Sequence, residues 1–119
     1  MPLLRNSRTG RIVATRIDRL SSFLQRAVGL LGRTTIRPGE GAWIAPCGAI
    51  HTLGMQAALD VIFIDSADRV IRTVSNVRPN RLLLACRGAR AVVELGHGAL
   101  DEHDLLPGDL LELVEDRAR

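Results

Sequence analysis

Apolar and polar positions alternate along GRIVATRI, residues 10–17, with Val13, Thr15 and Ile17 on one side of the pattern and Ile12, Ala14 and Arg16 on the other. A period of two belongs to a strand, here following a turn at residues 7–10. The period then lengthens. Phe23, Ala27, Leu30 and Leu31 recur at helical spacing, Ser22 and Gln25 fit a capping box, and Gly32 supplies a left-handed stop. This predicts one main helix, about residues 21–32, with Arg26 beside its apolar stripe.

Beyond a turn at residues 37–41 the pattern is that of strands. A short one is expected around Trp43, and LDVIFID, residues 59–65, is a continuous apolar run marked by Asp60 and Asp65. Such a run suits a central strand buried on both faces. SADR, residues 66–69, turns the chain into VIRTVSNV, so the two read as a hairpin. RAVVEL (90–95) and LLELVE (110–115) add two strands, separated by a short second helix at about 99–104 and a Pro107–Gly108 turn. Many short strands with no alternating strand–helix rhythm predict an α+β fold on a mostly antiparallel sheet, with barrel-like closure as one option. At 119 residues the chain is the size of one domain, 1–119.

Composition narrows the function classes. All 16 basic residues are Arg, and the net charge is +3. Residues 1–39 hold eight Arg against a single acid, Asp18, so the amino-terminal part is basic and the remainder acidic. Arginine binds carboxylates and phosphates in a two-pronged geometry, which favours an anionic ligand. Aromatics are only Phe23, Trp43 and Phe63, leaving no stacking platform for bases, so nucleic acid is not the expected partner. No apolar run reaches the ~18 residues of a membrane span and no secretory signal is recognisable, so a soluble cytoplasmic protein without a membrane partner is expected. In that compartment Cys47 and Cys86 are expected as free thiols. The pattern does not specify an oligomeric state.

The most concentrated chemistry lies in PCGAIHTLGM, residues 46–55, which spaces Cys47, His51 and Met55 four apart. Three readings stay open. A thiolate, an imidazole and a thioether form a soft set suited to copper, although the second upstream His of blue-copper sites is lacking. Cys47 with His51 as base and Asp60 as orienting acid would be a nucleophilic arrangement, without an oxyanion-hole motif to accompany it. Alternatively, Cys47 and Met55 pack in the core and His51 is a hydrogen-bonded loop residue. Asp60, an acid entering a buried strand, needs a partner, and Arg26 is the expected one. His97, between two glycines, and His103 read as surface residues.

RAVGLLGR (26–33), GAWI, Met55, LDVIFID, VIRTV and the tail AVVELGHGALDEHDLLPGDLLEL occur in an order that resembles domain-of-unknown-function family 192 from about Leu4 to Leu113. The resemblance implies a compact, β-rich α+β fold and marks Arg26, Gly29, Leu30, Met55, Asp60 and Asp65 as typical family positions. It implies no established activity. Taken with the residues themselves, it leads to a small ligand-binding domain whose cleft is lined by Trp43, His51, Thr52, Met55 and Asp60, with Arg26 at its floor or in its support. The expected ligand is a small polar or anionic molecule; no cofactor is called for, and whether the domain is also an enzyme stays open.

Overall fold

A computed structural model of the chain describes residues 1–21 and 36–115. Ten strands follow in order: β1 (Pro2–Asn6), β2 (Ile12–Ala14), β3 (Arg16–Leu20), β4 (Glu40–Ile44), β5 (Ala49–Ile50), β6 (Leu59–Ile64), β7 (Val70–Val77), β8 (Leu84–Ala85), β9 (Ala91–Gly96) and β10 (Leu111–Glu115). A 3-10 turn at Ala99–Glu102 lies between the last two. The strands form a five-stranded sheet in the order β3-β4-β9-β6-β7, a three-stranded sheet β10-β1-β2 and a two-stranded ribbon β5-β8. Pairing is antiparallel except between β3 and β4.

This corrects the expected α+β class. Among the described residues 49% are in strands and 4% are helical, no helix reaches seven residues, and the sheets do not close into a barrel. The main helix expected at about residues 21–32 lies, from residue 22 onward and with Arg26 in it, outside the described residues. The short helix expected at about 99–104 is a single 3-10 turn, too brief to make the fold α+β. Residues 10–17, expected as one strand, are two. The Thr15 amide and hydroxyl both donate to the Gly39 carbonyl, at 2.8 and 3.1 Å, which draws the chain out of one sheet and into the other.

The apolar run of β6 serves two cores at once, because successive side chains point to opposite faces. Ile62 and Ile64 face the three-stranded sheet with Leu4, Val13, Ile17, Trp43, Val93 and Leu95. Leu59, Val61 and Phe63 face the other way, toward Ile50, Val77, Leu84 and Val92, where the ribbon covers them. At roughly 25 cal/mol per Å² of apolar surface, this double burial is the main contribution to holding the layers together. Gly41 marks the tightest strand contact: a Cβ there would lie 2.6 Å from the Glu94 carbonyl oxygen, so any side chain would force β4 away from β9.

Candidate functional site

Two turns meet at Thr52. Residues 52–55 form a tight turn closed by the Met55 amide donating to the Thr52 carbonyl at 3.2 Å, and Gly54 takes the left-handed φ of +80° that its third position requires. Residues 78–81 form the second turn, with Pro79 followed by Asn80 at φ +64°. The buried Thr52 hydroxyl enters that turn, donating to the Arg78 carbonyl at 2.7 Å and accepting from the Arg81 amide at 2.8 Å. It thereby mediates a link that a closed turn would make directly. Three further bonds lock the pair: Thr52 amide to Arg81 carbonyl at 2.9 Å, Asn80 amide to Thr52 carbonyl at 2.8 Å, and Gly54 amide to Asn80 Oδ1 at 3.1 Å.

Asp60 and Trp43 lie on the other face of the five-stranded sheet. Asp60 stands opposite Leu95 on β9, and Leu95 and Trp43 belong to the core under the three-stranded sheet. The fully buried Asp60 carboxylate accepts the Asn76 amide at 2.9 Å and the Leu100 amide at 2.8 Å. Both partners are made available by backbone irregularity. The β6–β7 register shifts opposite Asp60, where Asn76 adopts φ +54°, and Leu100 is the second residue of the 3-10 turn that Gly98 leaves without a side-chain cap. His97 Nδ1 lies 3.8 Å from Asp60 Oδ1, with its ring exposed as the sequence suggested. Arg26, the partner expected from the sequence, is outside the described residues.

The sheet thus separates the expected cleft residues. Trp43 and Asp60 serve one core, while Met55, with Cys47 and Cys86, packs against the other, next to Thr52. Cys47 and Cys86 are half-buried thiols. Cys47 Sγ donates to the Ala49 carbonyl at 3.0 Å, and the exposed His51 uses Nδ1 to accept the Leu53 amide at 3.2 Å. Local backbone engages both groups. Among the described residues no set of three His, Cys, Asp or Glu side chains is arranged to hold a metal ion.

The model of DUF192, the family described as "Uncharacterized ACR", matches residues 4–113. The chain belongs to DUF192. Two solved structures share the fold: a candidate transcription regulator from Sinorhizobium meliloti 1021 (TM-score 0.76, 24% identity, 94% of this chain and 91% of that one) and a protein of unknown function from Novosphingobium aromaticivorans DSM 12444 (TM-score 0.74, 24% identity, 94% and 84%). No curated protein matches the sequence.

Two features of this DUF192 chain escaped the sequence reading. The first is charge: between Asp68 and Glu94 stand Arg69, Arg72, Arg78, Arg81, Arg87 and Arg90 with no acid among them. Arg72, Arg78, Arg81, Arg87 and Arg90 are all exposed, and none has an ion pair among the described residues. The acid-free run is legible in the sequence once charges are counted by window. The second is an ionic knot at Asp109. Its buried carboxylate accepts Arg8 Nε at 2.7 Å, Arg8 Nη2 at 3.2 Å, Asn6 Nδ2 at 3.0 Å and the Leu106 amide at 2.9 Å. The Arg8 hydrogen bond, helped by the Leu106 and Asn6 bonds against the opposing effect of burial, pushes its pKa down to about 2. Arg8 also reaches the Asp104 carbonyl. Asp109 sits in the recognised Pro-Gly-Asp turn, but a partner about a hundred residues away has no local signal.

Proposed function

We propose that this DUF192 domain binds a small anionic ligand on the surface built by residues 51–55 and 78–90. The observation that supports it is the set of exposed arginines with no ion pair among the described residues, above all Arg78 and Arg81, which flank the turn that Thr52 clamps. An arginine left without an acid keeps its two-pronged donor set for an incoming carboxylate or phosphate. A clamped turn loses little additional freedom on binding, so preorganisation favours affinity. Within this reading Thr52 and Met55 support the surface, and His51 with its outward ring borders it. Trp43 and Asp60, on the opposite face of the sheet, support the fold.

Titration calorimetry with inositol hexakisphosphate and citrate tests the reading. Binding is expected to weaken steeply with salt and to fall about tenfold or more in Arg78→Gln/Arg81→Gln, a change of about 1.4 kcal/mol. No heat with either anion, and no thermal shift across a metabolite library, would remove the reading.

A further inference from the structure

The same clamp presents leucines to water. Leu82 is 77% exposed, Leu83 64% and Leu53 45%. They cannot be dismissed as loose ends. Leu53 follows Thr52 at the tip of one turn, and Leu82 and Leu83 lie between Arg81, bonded to Thr52 through its amide and carbonyl, and the buried Leu84. The core beneath is already filled by Leu84 and Ile50, and the clamp holds both turns in place, so the three side chains are fixed outward. Arg81 Nε donates to the Leu83 carbonyl at 3.2 Å, which sets its guanidinium beside the Leu83 backbone, and Arg78 is exposed on the same turn.

We propose that this end of the molecule docks on an anionic phospholipid surface, with Leu53, Leu82 and Leu83 entering the interfacial layer while Arg78 and Arg81 meet lipid phosphates. The proposal rests on the anion-binding reading of the same surface and names the source of the anion. Apolar tips beside cations are what interfacial attachment requires. No apolar run is long enough to span a membrane, and among the described residues no helix is long and apolar enough to cross one. Surface docking has no such length requirement. The described aromatics, Trp43 and Phe63, are buried, so stacking on bases is not offered here.

Flotation of the full chain with vesicles of phosphatidylcholine alone, or mixed with phosphatidylglycerol, tests this. The chain is expected to float with the mixed vesicles and to remain behind with phosphatidylcholine. Leu82→Ala/Leu83→Ala is expected to weaken partition at least about tenfold, since each lost apolar contact with the interface lowers it. Arg78→Gln/Arg81→Gln is expected to weaken it about fivefold per arginine. Unchanged melting temperatures show that these exposed substitutions leave the fold intact. If the chain fails to float yet inositol hexakisphosphate still binds, the membrane proposal falls and the anion reading stands. If neither binds, both fall. Binding to duplex DNA that depends on the arginines and is indifferent to the leucines would overturn the lipid surface in favour of nucleic acid.

Discussion

Thr52 and Asp109 do comparable mechanical work in different chemical terms. Each is a buried polar side chain on a turn, and each joins that turn to a distant stretch of chain: Thr52 to residues 78–81, Asp109 to Asn6 and Arg8. The Thr52 knot is neutral and uses backbone partners, so it leaves the Arg78 and Arg81 side chains without an acid among the described residues. The Asp109 knot is ionic and occupies the Arg8 guanidinium with two carboxylate contacts and a carbonyl. A cation committed to a buried acid is structural, whereas one beside a neutral clamp is available to bind. This difference, more than the overall charge, is what favours the proposed binding surface.

Breaking the ionic knot has the largest expected effect. Asp109→Ala strips the carboxylate acceptor from Asn6 Nδ2, the Leu106 amide and Arg8, leaving Arg8 only its contacts with Asp104, and removing one partner of a hydrogen-bonded charge pair costs more than the pair contributes net. We expect a loss of about 2–4 kcal/mol in urea unfolding. A loss below about 1 kcal/mol would mean that water replaces these bonds freely and that the two knots are not comparable.

Thr52→Val comes next, at about 1–3 kcal/mol, because it keeps the shape and leaves the Arg78 carbonyl and the Arg81 amide without their partner. Thr52→Ser, which keeps the hydroxyl and loses one methyl, is expected to cost about 1 kcal/mol or less. Equal losses in the two variants would show that the methyl, and not the clamp, is what matters. The valine variant also sharpens the functional contrast: anion binding should fall with it although no arginine has changed.

Legibility in the sequence followed chain distance and period. The strands at residues 59–64, 70–77, 91–96 and 111–115 were readable because apolar runs and turn residues are local signals. β1 was not, since PLLRN owes its place to pairing with β10 at the far end of the chain. Within the expected site, Asp60 was rightly singled out as an acid that must be satisfied. Its amide partners come from a register shift and an uncapped 3-10 turn, which no residue type announces. The Cys47, His51 and Met55 spacing suggested convergence, yet a ribbon and a tight turn engage those residues locally.

Acid provides a gentler probe of the ionic knot. The folded-state pKa of Asp109, about 2, lies below its ordinary value of 3.8. A carboxylate depressed in this way contributes stability that is fully present above its unfolded pKa and is lost as pH falls through the folded one. Wild-type stability should therefore decline between about pH 4 and pH 2 by an amount that Asp109→Asn lacks, so the gap between the two narrows there. Thr52→Val, which carries no titrating group at the knot, should keep a constant gap to wild type over the same range. Urea midpoints at a series of pH values measure both, and parallel profiles for wild type and Asp109→Asn would contradict the ionic account.

The smallest expected change in stability comes from the cations proposed to bind. Arg72→Gln, Arg78→Gln and Arg87→Gln each remove an exposed charge that has no ion pair among the described residues, so each should stay within about 0.5 kcal/mol of wild type. Arg8→Gln, whose side chain bonds both Asp109 oxygens, should cost clearly more. Melting temperatures measured beside inositol hexakisphosphate titrations separate the two roles. The binding reading requires Arg78→Gln to lose affinity with its stability intact, and Arg8→Gln to lose stability with its affinity intact at temperatures where it remains folded. The reverse result would place the structural arginine at the neutral clamp and the available one at the acid, which would dissolve the contrast between the two knots.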